Sequence, residues 1–192
     1  RRDVEGRPLS RSTPDGREES WTYDPQGRLM SHRSPGGETT RVERDPATGF
    51  PVALIRPDGA REERRFDAPG NLVSVKDPLG RETVYTRNAH GQVIAVREPG
   101  GATSSTVYDA SGNVLRNIDA AGQATVFERD SLGREVAVTT PGGRTTRTEY
   151  CTCGSRSASI DAEGNRTEFK YDALGALIET KLANGATTIM TY

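Results

Sequence analysis

Glycine recurs along this chain at Gly6, Gly27, Gly49, Gly70, Gly91, Gly112, Gly133, Gly154 and Gly175, a step of 21 residues interrupted by a single step of 22. Three residues ahead of each stands Asp3, Asp24, Asp67, Asn88, Asp109, Asp130, Cys151 or Asp172; Asp45 stands four ahead in the longer loop Asp45-Pro46-Ala47-Thr48-Gly49. A second series, Gly16, Gly37, Gly59, Gly80, Gly101, Gly122, Gly143, Gly164 and Gly185, falls midway, usually in Pro-x-Gly as at Pro57-Asp58-Gly59. A fixed period of this length marks a repeat architecture in which each unit is one supersecondary element. Proline presets the first corner of a turn, glycine accepts the left-handed corner, and an aspartate at the head bonds back to the backbone two residues on. Each unit therefore holds two turns. The six or seven residues between them suit one strand and are too few for a typical helix.

Side-chain alternation agrees. Three residues after each Asp-turn glycine the sequence reads Leu9, Met30, Val52, Val73, Ile94, Leu115, Val136, Ser157 and Ile178, and two further on Leu54, Val75, Val96 and Val138 repeat the preference. Between them lie Ser10, Ser31, Ala53, Ser74, Ala95, Arg116, Ala137, Ala158 and Glu179, a period of two that puts small or polar residues on the opposite face. Just before the Asp, the returning strand carries Tyr23, Arg44, Phe66, Arg87, Tyr108, Arg129, Tyr150 and Tyr171, with Tyr192 opening a tenth unit. Where arginine takes that place, Val42, Tyr85 or Phe127 stands two residues earlier on the same face. The expected fold is all-β, about nine tandem antiparallel hairpins over residues 1–192 in one curved single-layer sheet, with the Leu/Val/Ile and Tyr columns inward. About eighteen strands at about 4.8 Å each give roughly 85 Å of sheet, which must coil or curl.

Composition supports a thin structure, since 32% hydrophobic and 6% aromatic residues are few for a two-layer core. Twenty-six basic and 27 acidic residues are interspersed, so no nucleic-acid footprint exists and no such partner is expected. No run approaches the roughly 18 apolar residues of a membrane helix, and no membrane span is expected. The opening Arg1-Arg2-Asp3-Val4-Glu5-Gly6 lacks the apolar run of a secretory signal, and the pattern starts and stops inside a unit, as in a segment of a longer protein.

The chemistry-bearing residues do not assemble into a site, and no catalytic residue, cofactor or metal is expected. Cys151 and Cys153 would sit about 6.6 Å apart in a strand, near the limit for a disulfide; they read best as turn residues of a degenerate unit. A zinc site wants four ligands, and His32 and His90 lie in other units. Neither histidine belongs to a triad. Ser155, Ser157 and Ser159 deprive that hairpin of its apolar column and mark it as the least well buried. The aspartates recur in every unit, which argues turn chemistry, since an enzyme needs a site once. Arg41, Arg44, Arg61, Arg64, Arg65 and Arg147 suit cross-strand pairing with Glu or Asp; an anionic-glycan surface is the alternative. The residues that matter are thus structural: Asp24, Gly27, Asp67, Gly70, Gly80, Asp109, Gly112, Gly122, Asp130, Gly133, Gly143, Gly164, Asp172 and Gly175 at turns, and Tyr23, Phe66, Tyr108, Tyr150 and Tyr171 as the aromatic column.

Tyr23-Asp24-Pro25-Gln26-Gly27-Arg28-Leu29, Tyr108-Asp109-Ala110-Ser111-Gly112-Asn113-Val114 and Tyr171-Asp172-Ala173-Leu174-Gly175-Ala176-Leu177, with Asp77-Pro78-Leu79-Gly80-Arg81-Glu82-Thr83, resemble the YD repeat of rearrangement-hotspot (RHS) proteins along the whole chain. The resemblance implies a sheet wound into a hollow shell or spiral, as in bacterial polymorphic toxins, insecticidal toxin complexes, wall-associated proteins and teneurin adhesion proteins. It implies a non-catalytic scaffold, secreted or at the cell surface as part of its parent. The partners it implies are an enclosed C-terminal toxin or effector domain and the parent's secretion machinery. The segment that closes such shells and the toxin domain itself are not in this sequence, so enclosure would belong to the parent. A carbohydrate- or receptor-binding adhesion module is the second expectation, and edge-to-edge self-association through open edge strands a further one.

Overall fold

The computed structural model describes residues 1–191; Tyr192, and with it the tenth unit, lies outside the described residues. All regular elements among them are strands. The chain divides into two compact units, Arg1–Ala102 and Thr103–Tyr192.

The first unit holds β1 (Ser10–Ser12), β2 (Glu18–Tyr23), β3 (Leu29–Arg33), β4 (Thr39–Arg44), β5 (Pro51–Ile55), β6 (Arg61–Phe66), β7 (Leu72–Lys76), β8 (Glu82–Arg87) and β9 (Val93–Arg97). The second holds β10 (Thr103–Tyr108), β11 (Val114–Ile118), β12 (Ala124–Arg129), β13 (Glu135–Thr139), β14 (Thr145–Tyr150), β15 (Arg156–Ile160), β16 (Arg166–Tyr171), β17 (Leu177–Lys181) and β18 (Thr187–Ile189). Within each unit every strand pairs antiparallel with its sequence neighbours, and strands touch only those neighbours. The all-β hairpin array expected from the period is the one observed, a single layer in each unit.

Both turn series share one backbone geometry. At Asp24 the Gly27 N–H donates to the Asp24 carbonyl at 2.9 Å and the Asp24 N–H to the Arg28 carbonyl at 2.9 Å; at Thr13-Pro14-Asp15-Gly16-Arg17 the same two bonds form at 2.9 Å. Gly27 sits at φ 81° and Gly16 at φ 80°, the left-handed corner that closes a type I turn in hairpins of this loop length.

The hairpins closed by the two series differ in register. Those at the Pro-x-Gly end are regular, as Ser31↔Arg41, His32↔Thr40 and Arg33↔Thr39 show. Those at the Asp end carry a bulge: Thr22 faces Ser31 while Tyr23 faces Leu29, leaving Met30 without a partner. The same slip leaves Val52, Val73, Ile94, Leu115, Val136, Ser157 and Ile178 unpaired, so the apolar column of the sequence is a column of bulge residues. A bulge bends its strand and sharpens its twist, and here that is repeated at every Asp-turn hairpin.

The deepest burial is on the face opposite the one expected. Ala53, Ala137, Ala158 and Ser74, all from the small-residue column, are 3% exposed or less, and no large side chain among the described residues is fully enclosed. The Leu/Val/Ile column stays half-buried, because no second layer of strands packs over that face among the described residues.

Candidate functional site

The head carboxylates brace their own turns. Asp130 Oδ1 accepts the N–H groups of Leu132 and Arg134 at 2.9 and 3.0 Å, and Oδ2 accepts Arg134 Nε at 2.7 Å. Asp24 does the same with Gln26 and Arg28, while Asp67 and Asp109 use Asn71 and Asn113 as the side-chain donor. At Asp172 only the backbone pair, Leu174 and Ala176, is present. Gly70, Gly112, Gly133 and Gly175 close these turns, and Gly80, Gly122, Gly143 and Gly164 close the others, all at positive φ.

The Arg134 side-chain hydrogen bond holds the Asp130 carboxyl below its ordinary range, and the Asn113 bond does so for Asp109. A carboxylate whose folded pKa lies below its unfolded one contributes stability above the unfolded value and loses it as pH falls through the folded one. Thermal melts should therefore be flat from pH 8 to about 5 and fall progressively below about pH 4.

The aromatic column does more than fill space. Tyr23 Oη donates to the Pro8 carbonyl and Tyr150 Oη to the Glu135 carbonyl, both at 3.0 Å and both fifteen residues upstream. The arginines that replace tyrosine reach the same carbonyl: Arg44 to Leu29 at 3.2 Å, Arg87 to Leu72 at 3.2 Å and Arg129 to Val114 at 3.4 Å. Each of the three also donates to the carbonyl of its own turn glycine, Gly49, Gly91 or Gly133. Tyrosine and arginine alternate because both end in a donor, a reason the apolar count could not show. Arg44 is thus not one of the cross-strand ion pairs expected. Arg7 lies over the Tyr23 ring at 5.1 Å and Arg134 over Tyr150 at 4.4 Å, so these two tyrosines are held by face and hydroxyl. Phe66, without a hydroxyl, packs on Phe50 with ring centroids 5.1 Å apart. Tyr108 and Tyr171 end β10 and β16 and are half-buried. Tyr150→Phe should cost about 1 kcal/mol, the worth of one neutral hydrogen bond, read from urea unfolding.

On the opposite face arginines bridge acids across three strands. Arg61 binds Glu43 at 2.8 Å and Glu63 at 3.0 Å, spanning Ala53, which faces both glutamates in register. Arg166 binds Glu149 at 2.6 Å and Glu168 at 3.1 Å across Ala158 in the same way. The serine-bearing hairpin, expected to be the least buried, thus contains Ala158, which is 0% exposed. Arg64 pairs with Glu62, whereas Arg41, Arg65 and Arg147 face Ser31, Ser74 and Ala137.

Two local clusters stand outside the repeat. Trp21 stacks on His32 at 5.4 Å, and His32 Nε2 lies 2.9 Å from Glu19 Oε1, which Arg11 also binds at 2.6 Å. His90 is exposed, its N–H donating to Asn88 Oδ1 at 3.0 Å as the third residue of a turn. Cys151 and Cys153 form a disulfide with Cα atoms 5.2 Å apart. The turn, not an extended strand, brings them closer than the strand spacing allowed. No group of three or more His, Cys, Asp or Glu among the described residues is placed to hold a metal ion.

No curated protein matches the chain. Its fold is similar to the crystal structure of TcdB2-TccC3-Cdc42, at 16% identity and a TM-score of 0.69 over 96% of this chain and 11% of that one. It is also similar to the Photorhabdus luminescens Tc holotoxin pore, at 17% identity and a TM-score of 0.58 over 93% of this chain and 12% of that one. The chain therefore spans a small fraction of either solved chain. A family model described as RHS Repeat matches residues 2–39, 23–61, 66–103 and 108–145, well over half of the 192 residues. The matched segments begin at Arg2, Tyr23, Phe66 and Tyr108, each one residue before a head aspartate and so in step with the hairpin period, and the chain belongs to the RHS repeat family.

Proposed function

We propose that residues 1–192 act as one repeat array, a non-catalytic wall segment of a longer secreted protein of the bacterial toxin type, and that the wall encloses that protein's toxin or effector domain until delivery. The observation that carries this reading is the half-buried apolar face, with its Leu/Val/Ile bulges and Tyr and Phe side chains, over which no second layer of strands packs among the described residues. A soluble wall one sheet thick needs a second surface, or an enclosed chain, to shield such a face. The family and the likeness to a Tc holotoxin support a shell-type scaffold as the context. In this reading the turn residues from Asp24 to Gly175 are corners of the wall, not ligands.

Limited proteolysis of the intact parent tests the idea. The effector domain should resist protease at concentrations that digest it when it is expressed alone. A variant that loosens the array, such as Gly70→Ala, should expose it at least about thirtyfold faster, as expected where cleavage follows the population of an opened state. Digestion of the effector at its free rate within an intact array would refute enclosure.

A further inference from the structure

The turn headed by Cys151 has the backbone of its neighbours without their brace. The Cys151 N–H donates to the Ser155 carbonyl at 2.9 Å and the Gly154 N–H to the Cys151 carbonyl at 3.0 Å, as in the turns headed by Asp130 and Asp172. In those two turns the head carboxylate binds the N–H of the third residue, Leu132 or Leu174, at 2.9 Å. Here a covalent bond runs from the head, Cys151, to the third residue, Cys153. The turns headed by Arg56 and Leu182 form the same frame with neither a head carboxylate nor a disulfide, so the hairpin does not depend on this bond. A loop enclosing one residue also removes little entropy from the unfolded chain, so little stability is lost when it opens.

The surroundings single out one sulfur. Cys153 is exposed and Cys151 half-buried. Cys153 shares its turn position with Leu132 and Leu174, which are 75% and 95% exposed. The three turns follow one another along the same edge of the second unit, β12–β13, β14–β15 and β16–β17. Two strands separate successive turns, a step of about 10 Å. A disulfide at an exposed turn thus stands between two projecting leucines whose side chains the sheet leaves uncovered.

We propose that Cys151–Cys153 is a thiol–disulfide exchange site whose partner is a cysteine thiol borne on an apolar polypeptide segment, seated by Leu132 and Leu174. The partner's thiolate attacks Sγ of Cys153, the more exposed of the two residues, and the new bond forms there as the Cys151–Cys153 bond breaks. The electron pair leaves on Cys151 Sγ, which takes a proton from water. One disulfide replaces another, with no net oxidation and no further reactant. Attack by the Cys151 thiolate on Cys153 Sγ reverses the step and releases the partner thiol, so the link is reversible.

The test treats the oxidised 192-residue chain with either a blocked pentapeptide, one cysteine between two leucine pairs, or reduced glutathione at equal thiolate concentration. Samples are acid-quenched and mapped by mass spectrometry. The expected result is a mixed disulfide on Cys153 with both probes, formed about tenfold faster with the pentapeptide, the gain one or two buried methylenes supply. Leu132→Ser with Leu174→Ser should abolish that preference and leave the glutathione rate unchanged. Cys151→Ser should keep the far-ultraviolet circular dichroism of the parent chain and form no adduct with either thiol. Attachment at Cys151, absence of any adduct, equal rates for the two probes, or loss of strand signal when the bond opens would each overturn the proposal.

Discussion

Ala158→Leu is expected to destabilise the chain by about 3 kcal/mol, whereas Ser157→Val, one residue away, should stabilise it by roughly 0.5 to 1 kcal/mol. Ala158 faces Glu149 on one side and Glu168 on the other, and the Arg166 guanidinium binds both acids across it. The methyl group lies beneath that bridge at 0% exposure. A leucine needs the volume the guanidinium occupies, so either β15 shifts or the bridge opens. Overpacking of this kind costs about 1–3 kcal/mol. The ion pairs are more than 40% exposed, so solvent screens them and they contribute the smaller share. Ser157 sits at a bulge on the other face, where the remaining units carry Leu, Met, Val or Ile, and valine there adds apolar area without displacing a neighbour. Urea unfolding of both variants gives the signs; a leucine at 158 tolerated within about 0.5 kcal/mol would mean that the bridge does not cover the site.

Gly70→Ala should cost about 2–3 kcal/mol, roughly twice the cost of Gly164→Ala. Both glycines lie in the left-handed region, at φ 94° and 86°, where a side chain costs about 1–2 kcal/mol. Around Gly164 the space for a Cβ is open, so that cost stands alone. At Gly70 a Cβ would sit 2.8 Å from Phe50 Cζ, and Phe50 packs against Phe66. The phenyl ring must yield, and the aromatic contact, worth about 0.5–1.5 kcal/mol, weakens. Gly27 and Gly49 are seats of the same kind for Arg7 and Arg28, but a flexible guanidinium moves aside where a packed ring does not. Equal midpoint shifts for the Gly70 and Gly164 variants would show that conformation alone requires glycine at these corners.

The turns and strands were legible because they are local. Asp24 to Arg28 contains every donor and acceptor its turn needs, and six residues to the next corner leave room for one strand. The alternation also placed the Leu/Val/Ile and Tyr columns on one face, as Val42↔Leu54 and Tyr85↔Val96 show. The residues misjudged depend on partners outside their own hairpin arm. Met30 and its equivalents read as ordinary strand positions, and only pairing reveals them as bulges. Arg44, Arg87 and Arg129 read as gaps in an aromatic column, although the shared feature is a donor reaching a carbonyl fifteen residues back. The serines around Ala158 suggested weak burial, because nothing in the hairpin's own sequence says that Arg166 lies over it.

Sequence by itself determined the period, the corners, the all-β class and the family, since each rests on contacts between residues at most a few places apart. Which face is most deeply buried was decided only when strands stood side by side. A single sheet has no second layer to cover large side chains, so the most enclosed positions are the smallest ones, roofed at Ala53 and Ala158 by an arginine and glutamates of the adjoining strands. The sulfur link at Cys151 followed the same rule: its spacing in an extended strand is near the limit, and the turn supplies the shorter distance.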